Sequence, residues 1–283
     1  MSSTAASGGT APRVASQASR ELRLRAISVL VLAPFVLVAV YLGGAVFQAL
    51  VAGTAALMAW EWERLCNGGR FTVSGMLMVT GAVAVILAIA LGRADVAALL
   101  GAAATIAVYA VTAAARRPDP RWVALGMVVI ATTAGAIVWL RLSPLVGAAG
   151  LLWFIGVVWA TDLGGYVVGR TVGGPRLAPV VSPRKTWAGL AGGMAFAAAW
   201  GFAASQFWHF ATPWKLAFLA LVLAVIEQIG DLSVSVVKRR YGAKDSSNLI
   251  PGHGGVLDRT DGFLVAAPVL VVLIVAATGG FAS

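Results

Sequence analysis

The sequence predicts an all-α polytopic integral membrane protein of about nine transmembrane helices, on three observations. Of the 283 residues, 60% are hydrophobic and only 11% are charged, less than half of the roughly 25% charge of a soluble domain. Apolar runs long enough to cross the roughly 30 Å hydrocarbon core as helices recur along the whole chain. These runs are continuous rather than alternating, so helices and not barrel strands satisfy their backbone in lipid.

The elements follow in order. Residues 1–25 form a small, polar, basic tail without apolar periodicity, expected to be disordered. The first apolar run is a full span with no small-residue cleavage site behind it, so no secretory signal is expected. Spans are predicted at about 26–43, 45–63, 74–92, 96–115, 122–140, 147–168, 187–206, 215–236 and 258–280. Charge tests that count. With the N-terminus in the cytoplasm, eighteen of the 21 Lys and Arg residues fall on the cytoplasmic side, leaving only Arg93, Arg141 and Lys215 opposite. An incorrect span count would scramble this positive-inside asymmetry. Trp62, Trp122, Trp139, Trp208 and Trp214 fall near span ends, as an aromatic belt requires.

The net charge of +10 is accounted for by the same asymmetry, and its natural partner is anionic lipid rather than nucleic acid. One cysteine, Cys66, excludes an internal disulfide and any multi-cysteine metal site. The five spans over 26–145 show little chemistry. A catalytic domain is expected over 146–283, four spans joined by two cytoplasmic connections at about 169–186 and 237–257. Its polar cleft opens to the cytoplasm, which places the active site at the inner face of the cell membrane.

Several acids in this half stand inside spans. Asp162 precedes Arg170 by eight residues and Asp231 precedes Lys238 by seven, so both lie roughly 10–12 Å below the surface. Glu227 is one turn deeper on the face of Asp231. An intramembrane carboxylate is costly unless paired, protonated or metal-bound. A structural ion pair is the bland alternative, but no basic residue is expected deep enough to reach these acids. Asp258 and Asp261 open the last span at i, i+3, where simple capping accounts for one of them. Hard oxygen ligands with few nitrogens suit Mg²⁺, with or without a second cation. The expected metal site is Asp231 and Asp258, flanked by Glu227 and Asp261.

Between the last two spans, Pro251-Gly252-His253-Gly254-Gly255 can turn backbone N–H groups towards a phosphate. Lys238, Arg239, Arg240, Lys244 and Arg259 surround it, each alone an ordinary positive-inside residue and together a source of charge-assisted bonds. The other connection holds Ser182-Pro183-Arg184-Lys185-Thr186-Trp187, readable as a helix start or as a second phosphate clamp.

The run Ser235-x-x-Lys238-Arg239-x4-Lys244-Asp245-x3-Leu249-x-Pro251-Gly252-His253-Gly254-Gly255-x-Leu257-Asp258-Arg259-x-Asp261 resembles the signature of the phosphatidate cytidylyltransferases. Asp162 with Gly164 and Tyr166, the 182–187 run and Gly230-Asp231 fit the same pattern; Arg184 stands where lysine is more usual. Detailed resemblance covers about 159–263. It implies transfer from CTP to phosphatidate with release of pyrophosphate, a Mg²⁺ requirement and a homodimer. It makes Asp231, Asp258, Asp261 and Lys238 the expected catalytic set. The expected phosphate-binding set is Ser182, Arg184, Lys185, Thr186, Ser235, Lys238, Arg239, Lys244, Asp245, His253, Gly254, Gly255 and Arg259, with Asp162 an additional polar residue.

Two rivals predict something different. An ion-coupled transporter needs acids spread across the bilayer and repeated spans, whereas these acids gather toward one face without a repeat. Asp258-x-x-Asp261-Gly262 resembles the opening of the CDP-alcohol phosphotransferases, but no acid follows Asp261. Another CTP-dependent lipid-phosphate cytidylyltransferase shares every feature above.

Overall fold

The computed structural model describes residues 28, 30–208, 211–250, 252 and 254–279. The expected tail over 1–25 and His253 lie outside the described residues. The chain is almost wholly helical: α1 (Leu30–Leu42), α2 (Gly44–Cys66), α3 (Val73–Ala90), α4 (Ala94–Ala114), α5 (Pro120–Leu142) and α6 (Gly147–Thr171) come first. A hairpin, β1 (Arg176–Ala178) and β2 (Ser182–Thr186), precedes α7 (Trp187–Ala204), α8 (Pro213–Arg240), α9 (Leu257–Thr260) and α10 (Phe263–Thr278).

Eight stretches are long and apolar enough to cross a membrane: α2 to α8 one each, and α9 with α10 together. The first expected span corresponds to α1, a shorter apolar helix within the described residues. Helix starts are written locally. Pro120 and Pro213 open α5 and α8 at the first turn, where the missing N–H has no helical partner to lose. Thr186 Oγ1 accepts the Gly189 N–H at 3.0 Å and caps α7. At the other ends, α6 and α8 continue beyond the expected 168 and 236, to Thr171 and Arg240. Arg170 closes one and Lys238, Arg239 and Arg240 the other, cations placed where the helix dipole favours them.

α5 is the hub, packed on α2, α3, α4, α6 and α10, while α7 sits between α6 and α8. The α6–α7 seam is built from small residues: a Cβ at Gly164 would stand 2.5 Å from the Gly192 carbonyl oxygen. Side-chain-free contact of this kind holds helices together in lipid, where no hydrophobic force separates them from the solvent tails. It fixes Asp162 on α6 relative to the Lys185 strand that feeds α7.

Two expectations are corrected. The connection over 169–186 is not simple loop: β1 and β2 pair antiparallel, Arg176 with Thr186 and Ala178 with Ser182. Trp62 is no belt residue; it is 2% exposed and its Nε1 donates to the Trp122 carbonyl at 2.8 Å, joining α2 to α5. Trp214 is exposed at the start of α8, as a belt residue should be.

Candidate active site

Four elements bring polar side chains to the end of the bundle at which α6 and α8 finish. β2 carries Lys185, whose Nζ forms an ion pair with Asp231 Oδ2 and donates to Gln228 Oε1 at 2.9 Å. Gln228 Nε2 in turn donates to Glu227 Oε2 at 2.7 Å. The other Asp231 oxygen accepts a long 3.3 Å bond from Ser235 Oγ, one turn along α8. A Cβ at Gly230 would meet the Asp261 carbonyl at 2.9 Å, and one at Gly262 would meet Glu227 Oε1 at 2.7 Å. The break between α9 and α10 is therefore seated directly on the Glu227–Asp231 face of α8. Asp162 on α6 is exposed and interacts electrostatically with Asp231, Lys185 and Arg259. Asp261 interacts in the same way with Asp231, Lys238, Asp162 and Lys185. Asp162, Glu227, Asp231 and Asp261 thus share one basin with Lys185.

The expectation that no basic residue could reach these acids is incorrect. Lys185 is carried inward by the hairpin, a geometry invisible while 169–186 reads as a loop. Lys238, at the end of α8, is likewise turned inward: its Nζ donates to Asp258 Oδ1 at 2.7 Å, with the two side chains only 10% and 4% exposed.

Asp258 organises the glycine loop. Its Oδ2 accepts from Ser246 N at 2.8 Å, Ser246 Oγ at 3.0 Å and Gly255 N at 2.9 Å. Gly254 has φ +82, the left-handed region open to glycine, and its carbonyl accepts the Ile250 N–H at 2.8 Å to close the turn. A Cβ at Gly255 would collide with Ser246 Oγ and both Glu61 carboxylate oxygens. That glycine is required by close approach.

Glu61 is the residue that the sequence reading missed. It lies on α2, in the half expected to carry little chemistry, and is 0% exposed. Oε1 accepts from Ser247 Oγ at 2.6 Å and Val256 N at 2.9 Å; Oε2 accepts from Ser246 Oγ at 2.9 Å and Leu257 N at 2.7 Å. Val256 N, Leu257 N and Ser247 Oγ are donors committed to this buried carboxylate, and the one Ser246 hydroxyl proton serves either Glu61 or Asp258. The available signal was two acids, Glu61 and Glu63, within the span predicted at 45–63.

The remaining expected site residues are placed as follows. Arg239 donates to the Val181 and Ala243 carbonyls at 3.3 Å, tying the hairpin turn to the end of α8. Arg184, Lys244, Asp245 and Arg259 are exposed, and Ser182 is half-buried. Thr186 is 3% exposed and engaged as the α7 cap. The α8 terminus is pinned from the other half too: Arg240 pairs with Asp119 at 3.2 Å and the Tyr241 hydroxyl donates to the same carboxylate at 3.1 Å. Burial and the neighbouring Cys66 thiol push the Tyr241 phenol up, so it remains a donor.

The donor set suits a hard divalent cation. Glu227 Oε1 and Asp261 Oδ2 have no hydrogen-bond partner among the described residues, and Asp162 has none at either oxygen. No group of three or more acid, His or Cys side chains forms a ready metal cage among the described residues. Mg²⁺ commonly takes one or two carboxylates and completes its shell from water and substrate phosphates.

The fold and basin together define a polytopic membrane protein in which acids and inward-turned lysines gather at one end of the helix bundle. Residues 23–277 match the family model described as the cytidylyltransferase family. A phosphatidate cytidylyltransferase of Brucella suis biovar 1 (strain 1330) is 36% identical over 255 residues, covering 88% of this chain and 92% of the relative. One from Pseudomonas aeruginosa is 37% identical over 270 residues, covering 92% and 99%. One from Staphylococcus saprophyticus is 41% identical over 120 residues, 42% of this chain and 46% of the relative. The chain belongs to the cytidylyltransferase family.

Proposed function

We propose that the chain transfers a cytidylyl group from CTP to phosphatidate, giving CDP-diacylglycerol and pyrophosphate for phospholipid biosynthesis. The observation carrying this reading is the convergence of Asp162, Glu227, Asp231 and Asp261 with Lys185, next to Lys238 and Arg259, in a member of this family. The nucleophile is a phosphate oxygen that is already anionic, so the site needs no serine, cysteine or buried base. It attacks the α-phosphorus of CTP; a P–O bond forms there while the bond to pyrophosphate breaks, and the electron pair leaves on pyrophosphate. The barrier lies in joining two polyanions and in the charge growing on the leaving group, which positioned cations relieve.

Lys238 and Lys185 are the fixed cations of the proposed site, each held by an aspartate that keeps it oriented while phosphate is absent. Arg184, Arg239, Lys244 and Arg259 admit the triphosphate and lipid phosphate, with the Gly254 N–H and the hydroxyls of Ser182 and Ser235 supplying neutral donors, while the Gly255 N–H holds Asp258 in place. Asp231, Asp258, Glu227 and Asp261 are the proposed holders of Mg²⁺, which supplies positive charge to the phosphate oxygens when bound. Glu227 and Asp261 each have one carboxylate oxygen without a hydrogen-bond partner among the described residues, Asp231 would exchange Lys185 or Ser235 for the cation, and Asp258 is engaged by the loop.

The reading includes a cytoplasmic N-terminus, a site facing the cytoplasm from the cell membrane, and a catalytic unit over 146–283 supported by 26–145. The charge asymmetry supports the orientation. A homodimer follows from the family resemblance. Purified protein in detergent or vesicles, given CTP, phosphatidate and Mg²⁺, should release pyrophosphate and CDP-diacylglycerol. Absence of turnover with every lipid phosphate would reject the reading.

A further inference from the structure

Two cavities open among the membrane helices, and they differ in one respect. The cavity between α3, α4, α5 and α10, about 600 Å³, is lined by apolar side chains and two threonines without a charge. The other, about 550 Å³, lies between α1, α2, α5 and α6 and is closed at one end by Ile250, Val256, Arg259 and Thr260. That end approaches the basin described above through Arg259, which interacts electrostatically with Asp162. Arg259 stands between Asp258 and Asp261, and Trp159 on the cavity wall is one helical turn from Asp162. Phe35, Leu57 and Trp159 on the wall are exposed, so the cavity is open sideways to the bilayer. From Phe47 to Met58 the α2 wall runs roughly 16 Å along the helix axis.

We propose that this second cavity seats one acyl chain of the lipid-phosphate substrate, with the Arg259 guanidinium at its mouth meeting the phosphate. The inference rests on the lipid-phosphate reading of the site. An apolar slot ending in a single cation matches the polarity of such a lipid from tail to head. A chain already in lipid gains little hydrophobic energy by entering a protein slot, because tails are as apolar as the wall. What the slot supplies is position: it fixes where the headgroup phosphate stands relative to the acids and lysines, a gain in orientation. Chain length, not mere hydrophobicity, then becomes a determinant of turnover.

Gly53 on α2 lines this cavity, and a Cβ there would meet nothing within 4 Å. Gly53→Phe fills the slot without a backbone clash. With phosphatidates of six-carbon and eighteen-carbon chains, this variant should lose at least about tenfold in kcat/KM for the long lipid. Its kcat/KM for the short lipid and its KM for CTP should stay within about twofold. Gly101→Phe, which fills the uncharged cavity, should not separate the two lipids. An equal loss on both chain lengths, or an unchanged long-chain rate, would overturn the proposal. Failure of the wild-type protein on both lipids would instead remove the functional reading beneath it. Without any substitution, a phosphatidate bearing a diazirine at mid-chain should label peptides of α2 and α6. Labelling confined to α4 and α10, or matched by an equivalent phosphatidylcholine probe, would also overturn it.

Discussion

Two lysine–aspartate pairs stand about one helical turn or two apart along α8, and they are built to different ends. In the Lys238–Asp258 pair, Asp258 uses one oxygen for the lysine and the other for the N–H groups of Ser246 and Gly255, with the Ser246 hydroxyl shared with Glu61, and its side chain is 4% exposed. In the Lys185–Asp231 pair both side chains are about one-fifth exposed, and the only further donor to Asp231 is a 3.3 Å bond from Ser235. The first pair is saturated and holds the glycine loop in place. The second faces a basin with three more acids and unused carboxylate oxygens, so an incoming cation or phosphate can displace its partners. Burying an ion pair adds little net stability, but removing one member of a buried pair is expensive. The two pairs should therefore fail differently when broken.

The largest effect on turnover is expected at the open pair. Asp231→Asn should reduce kcat by at least about a thousandfold, since removing an electrostatic group acting on developing charge commonly costs 10²–10³ or more. The melting temperature should move by no more than a few degrees. A folded variant with appreciable turnover would show that Asp231 is not a metal or phosphate organiser. At the closed pair, Asp258→Asn leaves Lys238 buried without its counter-ion. A stability loss of about 3 kcal/mol is expected, read as a lower detergent melting temperature, together with loss of activity. Unchanged stability would erase the distinction between the pairs.

Glu61→Gln comes next. An amide oxygen has two acceptor sites where the carboxylate meets three committed donors and the shared Ser246 hydroxyl, and the new NH₂ group would face donors. The expected cost is about 1–3 kcal/mol, with activity falling about tenfold. Faster amide exchange should appear over Ser246–Leu257, while α6 and β2 remain protected. If exchange rises uniformly, Glu61 is a general core residue and not the strap that joins α2 to the glycine loop.

Glu61 also marks what the sequence could tell. Eight of the nine expected spans are long apolar helices, because hydropathy and charge asymmetry report on each span separately. The Asp231, Asp258 and Glu227 positions were legible because a charge inside a span calls for an explanation. The pairing was not. Lys185 belongs to the connection between α6 and α7, and the β1–β2 hairpin turns it back toward α8, an effect of tertiary folding that its neighbours in sequence do not encode. Trp62 sat at a span end and read as an anchor; the α2–α5 contact buries it. Glu61 lies near the end of the span predicted at 45–63, beside Glu63 and Arg64, and no local pattern distinguishes it from them. Its partners lie 185 to 196 residues away, beyond the reach of any local pattern.

The smallest effects make the sharpest comparison, because the same change is made to each pair. Ser246→Ala removes a hydroxyl that bridges Asp258 and Glu61, two buried carboxylates at 3.0 and 2.9 Å. Ser235→Ala removes the single long bond to Asp231 from a more open position. Leaving buried acceptors short of a donor costs about 1–2 kcal/mol, whereas a solvated acceptor recovers its bond from water. Ser246→Ala should therefore lower the melting temperature measurably, with a rate loss that follows the loosened loop. Ser235→Ala should leave stability within about 0.5 kcal/mol of the parent and act on substrate, raising the KM for CTP a few-fold at nearly unchanged kcat. If the two serines exchanged these roles, Asp231 would be the structural carboxylate and Asp258 the one that meets the nucleotide.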